Sequence, residues 1–154
     1  MTKIETSLFA KLCQVFGNDR VYPEQIPMQE NNDDGSIEPN TLLPAASYRL
    51  VSGDTIESLT GKTGFATDSF LIEVFDRTPD VIQEIRSKLF DEFKGPPDKD
   101  RIGFPKKWED NGVIIQWAVA TNPAVDTEIT TKDAHDVLRY IQLLLTIDYF
   151  VQEN

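Results

Sequence analysis

Val137-Leu-Arg-Tyr-Ile-Gln-Leu-Leu-Leu-Thr-Ile-Asp-Tyr-Phe-Val151 is the stretch whose reading decides the fold. Val137, Ile141, Leu143, Leu145, Ile147, Tyr149 and Val151 share one parity, broken only by Arg139. The other parity mixes Gln142, Thr146 and Asp148 with Leu138, Tyr140, Leu144 and Phe150. This alternation predicts a strand with one face on a core and a mixed outer face. The leucines also suit an amphipathic helix. Val, Ile, Thr, Tyr and Phe favour the strand, and Asp148 would break the apolar side of a helix. At about 3.3 Å per residue the strand would run roughly 50 Å, far beyond an ordinary strand. It is therefore expected to bend or to reach past its own sheet, as in a chain that joins copies of itself.

Outward from that strand, Thr2-Lys-Ile-Glu5 matches a capping box, and Ile4, Leu8, Leu12 and Val15 follow at helical spacing with Phe9 and Phe16 beside them. Gly17-Asn-Asp19 should stop this helix, and Arg20–Pro23 should be a short extended piece with Pro23 at an edge. Residues 27–41 are polar and read as a long loop. Leu43–Val51, with Pro44 at its start, and Phe65–Phe75 read as the two arms of an antiparallel hairpin. Turn clusters at Ser52-Gly-Asp54 and Thr60–Gly64 would form its extended tip. Thr78 and Pro79 open a second helix as N-cap and first position, with Val81, Ile82, Ile85, Leu89 and Phe93 on its buried face. Val113–Ala120 is a further strand, and residues 94–112 and 121–136 read as loops. The expectation is one α+β domain over residues 1–154, with an antiparallel or mixed sheet of about four to five strands and two main helices packed on one face.

The chain has 154 residues, enough to bury a core without covalent staples. It carries 15 basic and 26 acidic residues, a net charge of −11, the wrong sign for non-specific nucleic-acid binding. No stretch approaches a membrane span, and the N-terminus lacks the pattern of a signal peptide, so synthesis in a cytoplasm is expected. Cys13, the single cysteine, falls in the first helical pattern and reads as a small buried hydrophobe. His135, the single histidine, lies between Asp133 and Asp136 with no marked nucleophile, so it reads as a surface or cap residue. No phosphate-loop, dinucleotide, zinc-protease or serine-hydrolase motif occurs, and a hydrolase is disfavoured. One Cys and one His disfavour zinc. Glu30-Asn-Asn-Asp-Asp-Gly35 imitates a calcium loop until its last position, where Thr41 stands in place of the required Glu. Neither a cofactor nor a metal is expected.

Residues 94–107 set Lys94, Lys99, Arg101, Lys106 and Lys107 against Asp98 and Asp100, a basic island in an acidic chain. It reads as a solvated loop, or as a surface that steers association with an acidic neighbour. Trp117 reads as core, and Trp108, just before the strand, as an interface anchor.

The order of these landmarks carries a family likeness: the N-terminal helix, Arg20-Val-Tyr-Pro23, the Leu43-Pro44 start, Ser47-Tyr-Arg-Leu-Val-Ser-Gly53, Phe70-Leu-Ile-Glu-Val-Phe75, a helix, and Ile147-Asp-Tyr-Phe-Val151. In this the chain resembles the tail-terminator, or tail-completion, proteins of tailed bacteriophages over nearly its whole length. It departs from them in its longer loops and in Phe65-Ala-Thr-Asp-Ser69, where many members have an arginine-rich pattern.

The resemblance implies a structural virion protein without catalysis, assembled in the host cytoplasm and located at the head-proximal end of the tail. Copies would form a ring, typically a hexamer, on the tail tube, stop its polymerisation and meet the head-side connector. DNA would pass through the bore without specific binding, helped by like charge. No membrane partner is implied. The expected subunit contact is the hairpin tip with the end of the last strand: Asp54, Ile56, Leu59, Tyr149 and Phe150. The expected lumen or partner loop carries Glu30, Asp33, Asp34 and Glu38. The basic surface of Lys99, Arg101, Lys106, Lys107 and Trp108 would face a partner. Two other readings stand beside this one: a neck or stopper protein joining head to tail, and an acidic immunity- or inhibitor-type binding protein.

Overall fold

A computed structural model describes residues 2–30, 35, 37–58, 61–94, 108–110, 113–129 and 138–151. The first helix, α1 (Lys3–Phe16), begins where the capping box places it: the Glu5 N–H donates to the Thr2 hydroxyl and the Thr2 N–H to the Glu5 carboxylate. Gly17, at φ 106°, ends it, in a conformation that suits glycine. The buried stripe is Ile4, Ser7, Leu8, Leu12 and Phe16. Cys13 is half-buried beside the core, and burial pushes its thiol above the usual value.

Strand β1 (Val21–Pro23) pairs in parallel with β4 (Ala45–Ser58). Between them, β2 (Met28–Glu30) and β3 (Ile37–Pro39) form a separate two-stranded antiparallel ribbon. The expected loop 27–41 therefore contains a ribbon, too short and too exposed to announce itself by alternation. β5 (Gly61–Asp76) pairs antiparallel with β4 from Ala45↔Phe75 to Ser58↔Gly61, as the hairpin reading expects. Both arms are longer than expected. Ser52-Gly-Asp54 lies within β4, not in a turn, next to a register shift between Leu50 and Ser52.

Helix α2 (Pro79–Lys94) follows, with its opening turn held by the Thr78 N–H donating to the Asp76 carboxylate at 2.8 Å. Ile82, Ile85, Leu89 and Phe93 are buried along it, with Val81 partly so. Beyond it, β6 (Trp108–Asp110), β7 (Val113–Ile129) and β8 (Leu138–Val151) complete the sheet. Its order is β1-β4-β5-β8-β7-β6, and all pairings except β1–β4 are antiparallel. This is the expected α+β class: a mixed sheet, five strands without the short β6, and two helices.

Both helices lie on one face. Their buried residues form one core with Ala46 and Tyr48 of β4, Phe70, Ile72 and Val74 of β5, and Ile141, Leu143, Leu145, Ile147 and Tyr149 of β8. Because α1 touches β4 and also β7, which lie toward opposite margins, the sheet curls about the helices. On the other face Ile26, Ala45, Phe75 and Leu138 make a smaller cluster at one end, with Tyr22, Leu43 and Tyr140 around them.

The last strands correct two expectations. Over residues 138–151, β8 does not overshoot its sheet: β5 lines one side from Phe65↔Phe150 to Asp76↔Arg139, and β7 lines the other from Val113↔Val151 to Ile129↔Leu138. Residues 121–129 of the expected loop 121–136 belong to β7, which continues through Asn122-Pro123 by shifting register between Thr121 and Ala124, and residues 130–136 fall outside the described residues.

Candidate assembly surface

The mixed parity of β8 meets the matching parity of β5 on the face that the two helices leave free. Cross-strand pairs run along it. Thr67 donates to the Asp148 carboxylate at 2.6 Å, and the Ser69 and Thr146 hydroxyls share a bond of 3.0 Å. Leu71 opposes Leu144, and the Gln142 amide donates to Glu73 at 3.5 Å. Phe75 stacks on Tyr140 with ring centroids 5.4 Å apart. Apart from buried Phe75, these side chains are half-buried, so the face is neither a second core nor freely solvated.

The margins differ from each other. Along β4, pairing with β1 stops at Tyr48, and no described strand lies beside residues 49–58 on that side. Along β7, β6 covers only residues 113–115, and residues 116–129 have no described neighbour on that side. An unpaired margin presents free N–H and C=O groups to any incoming strand. Both margins carry register shifts, in β4 around Leu50 and Thr55 and in β7 around Ile115, Thr121 and Ala124. Such irregularities, with acidic Asp54 and Glu57 on one margin and Pro123 on the other, oppose indiscriminate pairing.

Where the hairpin leaves the core, three residues form a tight unit. The Tyr149 hydroxyl donates to the Asp68 carboxylate at 2.8 Å. Gly53 faces Asp68 across the pair, and a Cβ there would lie 2.7 Å from an Asp68 carboxylate oxygen. Burial, the hydrogen bond to Asp68 and the nearby charges of Asp68 and Glu5 push the phenol of Tyr149 well above its ordinary range. Tyr149, expected at the subunit contact, is only 9% exposed and belongs to the core. Its parity turns it inward under the helices. Phe150 falls on the outer face, half-buried between Phe65 and Ile114.

The other expected residues are scattered. Asp54 and Ile56 lie in β4, while Leu59 falls outside the described residues. Glu30 lies in β2 opposite Ile37, and Glu38 in β3 opposite Gln29, whereas Asp33 and Asp34 fall outside the described residues. Trp108 starts β6 opposite Ile115, and Lys99, Arg101, Lys106 and Lys107 fall outside the described residues, as does His135. The fit of Gly53 to Asp68 is hidden in the sequence because Ser52-Gly-Asp54 reads as an ordinary turn signal. Among the described residues no group of acids, histidine or cysteine is placed to hold a metal, and no helix is long and apolar enough to cross a membrane.

Among the described residues, the architecture is α+β: two helices on one curled, mixed sheet, with a small separate ribbon. No family model matches the chain, and no curated protein matches it.

Proposed function

We propose that this chain is a phage tail terminator: copies close into a ring on the head-proximal end of a tail tube, end its growth and offer the connector a new surface. The observation that carries the reading is the pair of unlike open margins on one curled sheet, β4 over residues 49–58 and β7 over residues 116–129. A contact between two different patches is head-to-tail, and it yields a ring when its rotation closes. The register shifts and charges on both margins hold dilute copies apart until a tube end gathers them. The family resemblance, whose expected α+β architecture this fold has, adds support. The partners are further copies of the chain, the tube protein, and a connector or stopper. No catalytic step, cofactor or base-specific DNA contact belongs to this role.

Particle mass with and without purified tail tubes tests the proposal. The expected result is a closed ring on tube ends, with tube elongation arrested. A chain that stays monomeric and ignores tubes would falsify it, and binding to heads in place of tubes would assign it to the neck.

A further inference from the structure

Among the described residues, the Tyr48 hydroxyl is buried without a hydrogen-bond partner, in a residue only 3% exposed. Leaving such a group unsatisfied costs about 1–3 kcal/mol, so a stable fold that keeps one invites a search for what satisfies it. Tyr48 forms part of the wall of a cleft of about 200 Å³, together with Glu5, Pro23, Glu24, Arg49 and Leu50. The cleft sits where β1 leaves β4. Glu24, at φ 68° in a region few side-chain-bearing residues adopt, donates its N–H to the Tyr48 carbonyl at 2.8 Å. That bond is the last rung between the two segments.

One rung further, no described strand continues the pairing. The Ala46 N–H and the Tyr48 carbonyl point toward the β1 side, so alternation aims the Leu50 backbone the same way, where no described strand lies. Leu50 and Val51 are 47% and 46% exposed, an apolar pair beside a vacant ladder position. The charges in the cleft are two carboxylates, Glu5 and Glu24. Arg49 contributes to the lining, but alternation sends its side chain to the opposite face from Tyr48. Burial first, then Glu5, Cys13 and Glu24, raise the Tyr48 pKa, so the phenol keeps its proton.

We propose that the β4 margin at Leu50 captures an extended segment of a partner protein by strand addition, seating a lysine or arginine of that segment in the Tyr48 cleft between Glu5 and Glu24. In such capture the main-chain bonds supply affinity and the side-chain pocket supplies selectivity. The basic side chain meets two carboxylates, and a small shift of the Tyr48 ring on binding would give its buried hydroxyl a partner. The open β7 strand of a second copy does not fit this chemistry, because residues 113–129 contain no lysine or arginine, and the β4 margin of a second copy offers only Arg49, which already lines the cleft of its own chain. The capture site overlaps the start of the β4 margin that the ring reading uses, but it rests on the cleft chemistry, so peptide binding tests it whether or not copies close into a ring.

The test titrates the isotope-labelled full chain with a synthetic nonapeptide of alternating threonine and valine bearing one central lysine, and with its glutamine counterpart. The lysine peptide is expected to shift the amide signals of Glu24, Leu50 and Val51 and to slow exchange of the Leu50 N–H. The glutamine peptide should bind about tenfold more weakly, the loss of one charge-assisted contact. Glu24→Gln should erase the difference between the two peptides. Tyr48→Phe removes an unpartnered hydroxyl, so its melting temperature should be unchanged or higher while the lysine peptide binds less well. Equal binding of the two peptides, or no shift at those amides with millimolar peptide, overturns the proposal. Self-association of the chain that vanishes in Glu24→Gln also overturns it, by giving the cleft to a second copy.

Discussion

Tyr149 shows how one hydroxyl can tie a strand pair to a core. Its bond to Asp68 joins β8 to β5 just where the hairpin runs out from beneath the helices. Tyr149→Phe should cost about 1.5–3 kcal/mol, the worth of a hydrogen bond to a carboxylate, read from denaturant midpoints. The fold favours the neutral phenol, so the folded-state pKa lies above the unfolded value of 10.0. The resulting stability is complete below that pH and is lost as pH climbs above it. Wild-type protein should therefore lose stability more steeply above pH 10.0 than Tyr149→Phe does. Gly53→Ala pushes a methyl against the same carboxylate and should also cost about 1.5–3 kcal/mol through loss of that bond. Combined with Tyr149→Phe its effect should be less than additive, because both changes remove one interaction. Additive losses in a double-mutant cycle would separate the two residues.

Among the elements, the two faces of β8 give the sharpest contrast. Leu143 is fully enclosed beneath the helices, while its neighbour Leu144 is half-buried opposite Leu71 on the outer face. Leu143→Ala should lower stability by about 2–5 kcal/mol, as cavity-forming changes do. Leu144→Ala should cost distinctly less, and thermal melts of the two variants would check the order. This parity was legible in the sequence because period-two alternation survives whatever the neighbours are. So were the caps of α1 and the start of α2, since Thr2, Glu5, Gly17 and Pro79 act locally. What remained hidden depends on context. Residues 121–129 read as part of a loop, yet a register shift on a margin without a described neighbour accommodates Pro123, which lacks a donor. Ser52-Gly-Asp54 looked like a turn, yet Gly53 is small because Asp68 stands across from it. Tyr149 reads as a contact residue while the terminal strand is expected to reach past its sheet, and the place of that strand between β5 and β7 comes from pairings distant in sequence.

For the whole molecule, the extended hairpin offers the most direct probe of assembly. Among the described residues, the arms beyond Phe65 pair only with each other, without β8 beside them. Deleting residues 54–62 should leave a cooperative unfolding transition, because the core formed by α1, α2 and the paired β5–β8 segments is untouched. The same deletion should prevent ring closure in a mass measurement if the hairpin makes the contact. Unchanged assembly would remove it from the interface.

The seat of β8 also governs the order in which the molecule can form. It is last among the described strands in the chain yet central in the sheet, so ribosomal synthesis delivers two separate ladders, β1-β4-β5 and β7-β6, before the piece that unites them. Until then the facing sides of β5 and β7 stay raw, and α1 has only part of its eventual floor. Closure must wait for contacts distant in sequence, which makes for a slow, late step during which the nascent chain needs shielding by chaperones.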